Sequence, residues 1–397
     1  REMRFAKHGE WAKFNIQRSL ANNSVNYKEK PDVGTFMREW LSLYDSKSGE
    51  RGVYSSMSAQ RHTEKLNIQR KNKDGTYVQR RVAKEDFGTN PCSEIILRSR
   101  EFCNLSEVVI RREDTRESLK EKVRIATIIG TFQSTLTEFK YLSREWKRNC
   151  EEERLLGVSL TGIMDNSLTN GSKKGLENFL EDLKDVAYET NKEWADKLGI
   201  NSAAAITCVK PSGTVSQLVD SASGIHARHS PYYIRTVRAD NKDPLCQMMK
   251  ERGFPNEPDI TKPNHTTVFS FPMKSPKGAI CRNEMTAWKQ LSLWHTYAKH
   301  WCEHKPSVTV SVKEDEWVNT AAWVYDNFDD ISGISFLPFS DHTYRQAPYQ
   351  DCTEKEYNEL SKQIPKEANW EELTKYESKD YTVASQEMAC TGNSCEI

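Results

Sequence analysis

The sequence lacks a long apolar run, an excess of either charge and a dense cysteine framework. No uninterrupted apolar stretch is long enough to span a bilayer and no amino-terminal signal pattern is present, so we expect a cytoplasmic protein. The 397 residues include 57 basic and 57 acidic side chains, so no global field favours polynucleotides or anionic membranes. The ten cysteines are too widely spread for a secreted disulfide framework, and we expect reduced thiols.

Metal-ligand patterns and internal repeats are also missing. The two terminal cysteines have no nearby second pair and make a poor zinc signature. Four histidines have no trusted ligand spacing with a carboxylate or a cysteine, so we expect them to be surface or packing residues: His226, His229, His300 and His304. The sequence therefore predicts no protein-bound metal ion.

A short segment around Cys92 combines three chemically useful side chains. Pro91 disfavours the helical region for Asn90 and predicts an extended backbone. In an extended chain Asn90, Cys92 and Glu94 would project from one side. That side would carry an amide to orient a hydroxyl, a thiol for attack or radical chemistry, and a carboxylate for proton transfer. The alternatives are an ordinary Asn-Pro turn and a cysteine that serves only for packing.

Two further cysteines end the chain. Cys390 and Cys395 lie in a polar tail, where burial does not explain cysteine. Gly392 and Asn393 between them predict a turn that would let the two sulfurs meet. Cys103 lies eleven residues after Cys92. Together with the terminal pair, these two cysteines look like a thiol relay.

Helix and strand patterns alternate along most of the chain. Helical periodicity is clearest from Leu176 to Leu198, where Gly199 supplies the stop. Further helices are predicted at 31–44, 124–141, 285–302 and 315–328, and the short apolar run 155–164 is helix-compatible but ambiguous. Strands are predicted at 203–209, 308–312 and 333–337. The polar stretch 46–83, with its basic run 65–81, is predicted to be a solvated insertion. This order favours an α/β fold with parallel strands.

A small-residue turn follows the strand predicted at 203–209. The residues are Pro211, Ser212, Gly213, Thr214, Val215 and Ser216. This is the usual ligand-binding end of an α/β strand, and glycine with small hydroxyl residues lets backbone N–H groups approach phosphate oxygens. The Gly-Lys-Ser/Thr ending of a Walker loop is absent. An ordinary strand-to-helix turn is the competing interpretation.

These motifs resemble the adenosylcobalamin-dependent (class II) ribonucleotide reductases, specifically the C-terminal half of the catalytic chain. The resemblance extends beyond the cysteines to six further segments: 154–162, 210–216, 230–235, 304–309, 333–338 and 346–349. It implies the second half of a ten-stranded α/β barrel, with Cys92 on a central finger loop and a flexible C-terminal tail. The family usually has glycine where this chain has Ser93, whose limited access to positive φ would alter the loop tip slightly.

The resemblance implies a role for each site residue. Cys92 would carry the thiyl radical that abstracts the 3′ hydrogen of a ribonucleotide, Asn90 would bind the ribose hydroxyls, and Glu94 would take the 3′-hydroxyl proton. Cys103 would be one of two thiols that reduce the 2′ position, re-reduced by Cys390 and Cys395 from the tail. Ser212, Gly213, Thr214 and Ser216 would cradle the substrate phosphates. The implied cofactor is adenosylcobalamin, and the implied reductant is a thioredoxin-like protein.

Other radical-generating classes fit less well. A class I radical pathway would place a tyrosine pair in the late strand, which here reads Ile334 to Pro338. Tyr232 and Tyr233 lie just after the phosphate turn, where packing is expected. Gly392 has no glycyl-radical context. The lower-ligand pattern Asp-x-His-x-x-Gly is also absent, which is compatible with cobalamin bound without such a histidine.

The resemblance begins in the middle of the family's pattern. The partner of Cys103 would lie in the first half, and Cys150, Cys208, Cys246 and Cys302 are expected to be structural. Since the chain starts at Arg1, we expect either a fragment or a subunit that needs a separate N-terminal half. The predicted regions are 1–84 (lead-in), 85–365 (finger loop and barrel half) and 366–397 (mobile tail). A triphosphate substrate is favoured over a diphosphate. The alternatives are a non-catalytic reductase subunit and a general dithiol redox protein.

Overall fold

A computed structural model describes residues 3–15, 17–18, 23–69, 80–339, 345–377, 390–391 and 394–395. The helices before the middle of the chain are α1 (Trp11–Phe14), α2 (Val33–Ser46), α3 (Ser56–Gln69), α4 (Arg116–Gln133), α5 (Arg144–Glu153) and α6 (Leu176–Leu198). Those that follow are α7 (Thr214–Leu218), α8 (Pro244–Glu251), α9 (Ala287–His300), α10 (Trp317–Asp326), α11 (Glu354–Gln363) and α12 (Leu373–Tyr376).

The strands are short and form mixed sheets. In the first part of the chain they are β1 (Ser24–Tyr27), β2 (Gly52–Ser55), β3 (Gly88–Thr89), β4 (Ile96–Leu97), β5 (Asn104–Val109), β6 (Leu156–Thr161) and β7 (Thr207–Cys208). The later strands are β8 (Tyr232–Asp240), β9 (Asn256–Pro258), β10 (Thr266–Lys274), β11 (Thr309–Val312), β12 (Gly333–Pro338), β13 (Tyr349–Asp351), β14 (Cys390–Thr391) and β15 (Ser394–Cys395).

Parallel strands position the functional segments. β5, β6 and β7 pair in parallel, and β11 pairs in parallel with β12. A parallel bridge between Val209 and Pro306 links the two groups, so five strands follow one another in the order β5, β6, β7, β11, β12. The α/β class predicted from the alternating pattern is confirmed, and the described strands do not close into a barrel.

The main core lies between these strands and the helices packed on them. It contains β5 and β6 residues such as Val108 and Leu160 together with Leu183 of α6, Trp294 of α9 and Phe336 of β12. Burial of such large apolar side chains is the dominant stabilising contribution. A separate antiparallel sheet, in the order β13, β8, β10, β9, has a small cluster of its own around Phe254 and Phe269.

Several predicted elements are confirmed. Helix α6 spans the predicted Leu176–Leu198 and ends at Gly199, whose φ of 65° is the left-handed conformation that glycine favours. Helices α2, α9 and α10 and strands β11 and β12 lie within two residues of their predicted bounds. The predicted helix at 124–141 is displaced: α4 begins at Arg116, where Thr115 and Ser118 form a capping box.

Three segments differ from their predicted local structure. The run 155–164, helix-compatible but of ambiguous type by its pattern, contains β6, whose residues are buried on both faces and so show no alternation. The strand predicted at 203–209 is limited to β7, although all seven residues are buried. The stretch 46–83 is not simply a solvated insertion, because it contains β2 and α3, with Ala59 and Leu66 buried.

Arg80 and Arg81, at the end of the basic run, are buried and form ion pairs inside the protein. Arg80 donates to the Glu303 carboxylate at 2.6 Å, and Arg81 lies 2.8 Å from Glu153, with both arginine side chains almost fully buried. Residues 70–79 of the run lie outside the described part of the chain. Arg80 and Arg81 therefore serve folding, since buried charges must be paired.

Replacement of Gly162, the residue directly after β6, tests how closely the end of β6 packs against the end of β5. Gly162 has φ of 79°, and a Cβ there would lie 2.3 Å from the Ile110 carbonyl oxygen. We expect Gly162→Ala to lower the free energy of unfolding by about 3 kcal/mol, because it adds a backbone clash to a left-handed conformation. Denaturant unfolding followed by circular dichroism measures this. Gly175→Ala is the matched control, with φ of 85° and open space around the site, and should cost about 1 kcal/mol. An equal loss of unfolding free energy in both variants would show that the close approach of Gly162 to the Ile110 carbonyl oxygen does not matter for stability.

Candidate active site

The Cys92 segment forms a tight turn. The Ser93 N–H donates to the Asn90 carbonyl oxygen at 2.9 Å, and Ser93 has φ of 66°. Pro91 occupies the second position of this turn, where its fixed φ fits. The extended backbone predicted for Asn90, Cys92 and Glu94 is therefore wrong. The Asn-Pro turn, the competing interpretation, is the observed one.

The turn nevertheless brings two of the predicted residues together. The Asn90 side-chain amide donates to Glu94 Oε1 at 2.7 Å, and Asn90 Oδ1 accepts from the Ile95 N–H at 3.1 Å. Asn90 therefore bridges the two ends of the loop. Cys92 lies at the exposed tip between them. The predicted amide and carboxylate are thus in contact, and the turn that joins them carries Cys92 at its tip.

Glu94 is a fully buried carboxylate. Lys210 Nζ lies 3.7 Å from its Oε1, and its Oε2 has no hydrogen-bond partner among the described residues. An unpartnered oxygen on a buried carboxylate is costly in a folded protein. The second oxygen is thus available to accept a proton or a hydrogen bond from a bound ligand.

The segment before β11 holds the backbone of the loop. The Ser307 hydroxyl donates to the Cys92 carbonyl oxygen at 2.5 Å, and the Lys305 N–H donates to the Glu94 carbonyl oxygen at 3.2 Å. Lys305 Nζ also donates to the Ser93 hydroxyl at 2.8 Å. These contacts join segments that are more than 200 residues apart in sequence, and they hold the loop backbone against the segment before β11.

Cys103 lies one residue before β5 and is partly buried. Burial raises the pKa of its thiol to about 12, with the Glu94 charge acting in the same direction and Lys210 opposing it. The thiol is therefore protonated at neutral pH. The pKa of Cys103 responds to the charges of Glu94 and Lys210. Cys103 is therefore in the same electrostatic environment as the Cys92 loop.

The predicted phosphate turn joins this cluster through Lys210. Lys210 directly precedes Pro211, and its ammonium group reaches Glu94. Gly213 has φ of 51° with open space where a Cβ would lie, and Thr214 is exposed. The Ser216 hydroxyl donates to the Gly213 carbonyl oxygen at 2.7 Å and is buried, so its side chain stabilises the turn.

Glu107 is a further acidic group beside this turn. Burial raises the pKa of its carboxyl group, while the neighbouring Ser212 and Thr161 hydroxyls and the charge of Lys210 oppose the shift. Glu107 lies on β5, so the phosphate turn and the strand after Cys103 are in direct contact. The buried Ser212 hydroxyl has no hydrogen-bond partner among the described residues, so it is available for the predicted contact with a ligand.

Sequence reasoning missed Lys210, Lys305, Ser307 and Glu107 as site residues. Lys210 and Lys305 were both inside motifs that the resemblance singled out, each directly before a proline. That position was the available signal for them. Glu107 has no comparable signal, because its role follows from the pairing of β5 with β6.

The remaining predicted structural residues behave as expected. Cys150, Cys208, Cys246 and Cys302 are buried, and burial raises the pKa of each thiol. His226 and His304 are packed inside, where burial lowers the pKa of each imidazole. Tyr233 is buried beside Arg228. No group of three potential ligands that could hold a metal ion occurs among the described residues.

The terminal cysteines lie on paired strands. The backbone of Cys390 in β14 is directly opposite that of Cys395 in β15. Gly392, Asn393 and residues 378–389, on which the predicted turn and mobile tail depend, lie outside the described part of the chain. Among the described helices, none is long and apolar enough to cross a membrane.

The exposures of Cys92 and Cys103 predict different alkylation rates. We expect iodoacetamide at pH 8 to modify exposed Cys92 at least about tenfold faster than Cys103, whose pKa near 12 leaves it protonated. Quenched time points analysed by peptide mass spectrometry measure both rates. In denaturant the two rates should converge. Fast modification of Cys103 in the folded chain would contradict the burial that the structure assigns to it.

Comparisons with known proteins support the resemblance. No family model matches the chain. It is 28% identical over 286 residues to the adenosylcobalamin-dependent ribonucleoside-triphosphate reductase of Euglena gracilis, covering 71% of this chain and 38% of that protein. A probable adenosylcobalamin-dependent ribonucleoside-triphosphate reductase of Dictyostelium discoideum is 31% identical over 281 residues, covering 69% of this chain and 36% of that protein.

A solved structure shares the fold. The crystal structure of a B12-dependent (class II) ribonucleotide reductase superimposes with a TM-score of 0.73 at 22% identity, covering 94% of this chain and 54% of that one. The chain spans less than half the length of the curated relatives it matches. The predicted resemblance to the C-terminal half of such a catalytic chain is confirmed.

Proposed function

We propose that this chain, which resembles the C-terminal half of adenosylcobalamin-dependent ribonucleoside-triphosphate reductases, carries the radical-bearing half of such an enzyme. The reaction is reduction of a ribonucleotide, favoured as the triphosphate, to a deoxyribonucleotide. The observation that supports this most directly is the cluster around Glu94. Exposed Cys92 lies on a turn whose two ends are joined by the Asn90 amide and the buried Glu94 carboxylate, and the second oxygen of that carboxylate has no partner in the described chain.

The proposed architecture is the second half of a ten-stranded α/β barrel. The five-strand order that runs from β5 to β12 supports it. In this proposal residues 85–365 form the barrel half, with the Cys92 turn as its finger loop. Residues 1–84 lead into it, and residues 366–397 form a mobile tail. The pairing of β1 and β2 with β12 supports attachment of the lead-in region to the barrel half.

Each residue of the Cys92 loop would have a separate role in activating the ribonucleotide. Cys92, as a thiyl radical, would remove the 3′ hydrogen atom from the ribose. Glu94 Oε2 would accept the 3′-hydroxyl proton, and Asn90 would orient the ribose hydroxyls. The hydrogen bond of Asn90 to Glu94 Oε1 supports this assignment, because it leaves Oε2 available for the substrate.

The turn at 211–216 would bind the substrate phosphates. The open space in front of Gly213 and the exposure of Thr214 support an approach of phosphate oxygens to backbone N–H groups. Lys210 adds a positive charge between the turn and Glu94. It would therefore hold the phosphate end and the reacting ribose end of one ligand in a fixed relation.

Adenosylcobalamin would supply a carbon-centred radical by homolysis of its cobalt–carbon bond. The fit to this chain rests on Cys92, which is exposed at the loop tip and so accessible to a radical generator outside the strands. The described residues offer no cluster of metal ligands, which is compatible with a cofactor that brings its own ligands to cobalt.

Reduction of the 2′ position would need two thiols. Cys103 would be one, and a cysteine of an N-terminal half, supplied as the preceding part of the protein or as a separate chain, would be the other. Cys390 and Cys395 would then reduce the resulting disulfide by thiol–disulfide exchange and pass the oxidising equivalents to a thioredoxin-like protein. The backbone pairing of Cys390 with Cys395 supports their acting together.

Replacement of the radical cysteine tests the activity. In enzyme reconstituted with an N-terminal half and adenosylcobalamin, Cys92→Ser should abolish nucleotide reduction even with dithiothreitol, because an oxygen-hydrogen bond is too strong to form the required radical. Deoxynucleotide formation is measured by chromatography. Cys352→Ser is the matched control and should retain activity, because this partly exposed cysteine lies directly after β13, outside the proposed site. Residual turnover by Cys92→Ser would rule out the assigned radical position.

The terminal pair has a separate prediction. Cys390→Ser should retain turnover with dithiothreitol and lose it with a thioredoxin system, because a small dithiol can reach the active site without the tail. The measurement is the ratio of the two rates in the reconstituted enzyme. An equal loss under both reductants would contradict the relay.

A further inference from the structure

Ser93 at the loop tip adopts a conformation that serine disfavours. Its φ of 66° places it in the left-handed region, which glycine enters freely and other residues enter at a steric cost. Such a conformation persists where its surroundings hold it. Here the holding contact is the 2.8 Å hydrogen bond from Lys305 Nζ to the Ser93 hydroxyl.

Lys305 is unusually placed for a lysine. Only 2% of it is exposed, and the Ser93 hydroxyl is the hydrogen-bond acceptor identified for its ammonium group. Burial lowers the pKa of Lys305 to about 7, although the charge of Glu94 acts in the opposite direction. Lysine is almost never fully buried without a partner. A buried lysine directed at a strained loop tip therefore calls for a role beyond packing.

Strand β12 leaves room for the contact between Lys305 and Ser93. A Cβ at Gly333, the first residue of β12, would lie 2.0 Å from Lys305 Nζ and 2.9 Å from the Ser93 hydroxyl oxygen. Only a glycine there admits the lysine end and the serine side chain together. The Ser93 to Lys305 contact is thus enclosed by the loop, the segment before β11 and β12.

We propose that Lys305 is a positioning residue, whose amino group holds the Ser93 hydroxyl and so fixes the loop tip that carries Cys92. The same lysine holds Glu94 through its backbone N–H. One residue therefore contacts the loop at Ser93 and at the Glu94 backbone, the two positions that directly follow Cys92. An effect of Lys305 on turnover rests on the proposed function. The effect of Lys305 on the position of the loop does not.

The test measures how readily Cys92 reacts in the 397-residue chain without nucleotide or cofactor. Iodoacetamide alkylation of Cys92 is followed by peptide mass spectrometry in the native chain and its variants. Lys305→Met keeps an unbranched side chain of similar length but removes the donor. Ser93→Ala removes the acceptor. Each should change the Cys92 rate about fivefold, and the double variant should show no more than the larger single effect, as expected for two ends of one contact.

A conservative variant separates positioning from simple space filling. Asparagine tolerates the left-handed conformation and offers an acceptor oxygen, so Ser93→Asn should keep the Cys92 rate within about twofold of the native chain. An unchanged rate in Lys305→Met, or multiplicative effects in the double variant, would overturn the proposal. If Lys305→Met does not fold, Ser93→Ala is compared with Ser93→Gly: the alanine variant should depart further from native, and equal rates would overturn the proposal.

Because this readout needs no turnover, its result is independent of the proposed reductase activity. If reconstituted enzyme is inactive while the alkylation rates follow the predicted pattern, the positioning role holds and the proposed function fails. If reconstituted enzyme is active and Lys305→Met changes neither the alkylation rate of Cys92 nor turnover, the proposed function holds and the positioning role fails.

Discussion

The burial of the Glu94 carboxylate is the constraint on which the rest of the site depends. A charged group with no exposed surface must obtain polar partners from the protein. Asn90 provides one through the turn, and Lys210 provides an opposite charge from the end of the β7 segment. The turn at the loop tip and the segment that leads into the phosphate turn are thus tied to one side chain, which has one oxygen left for a ligand.

How far the sequence predicts this site depends on whether the relevant interactions are local. Asn90, Cys92 and Glu94 were predicted as a group because they are close in sequence. The turn joins Asn90 to Glu94, but the extended geometry assigned to the three residues was wrong. Proline excludes a helix for the preceding residue and is equally compatible with a strand and a turn. The observed turn is selected by contacts from residues 305–307, and no local pattern encodes those.

The same distinction explains the fold predictions. Helix α6 was predicted to the residue, because its apolar periodicity and Gly199 are local signals. Strand β6 was not, because burial on both faces removes the alternation by which a strand is recognised. Helix α3 was missed because its polar composition resembles a solvated segment, and its burial depends on packing against distant parts of the chain.

The proposed chemistry requires the two central thiols to behave differently, and their environments do differ. Cys92 is exposed at a turn, where a radical generator can reach it. Cys103 is held protonated by burial and by the negative charge of Glu94. Thiol–disulfide exchange requires a thiolate, whereas delivery of a hydrogen to a substrate requires a protonated thiol. A high pKa at Cys103 therefore favours the reductive step and slows attack on stray disulfides.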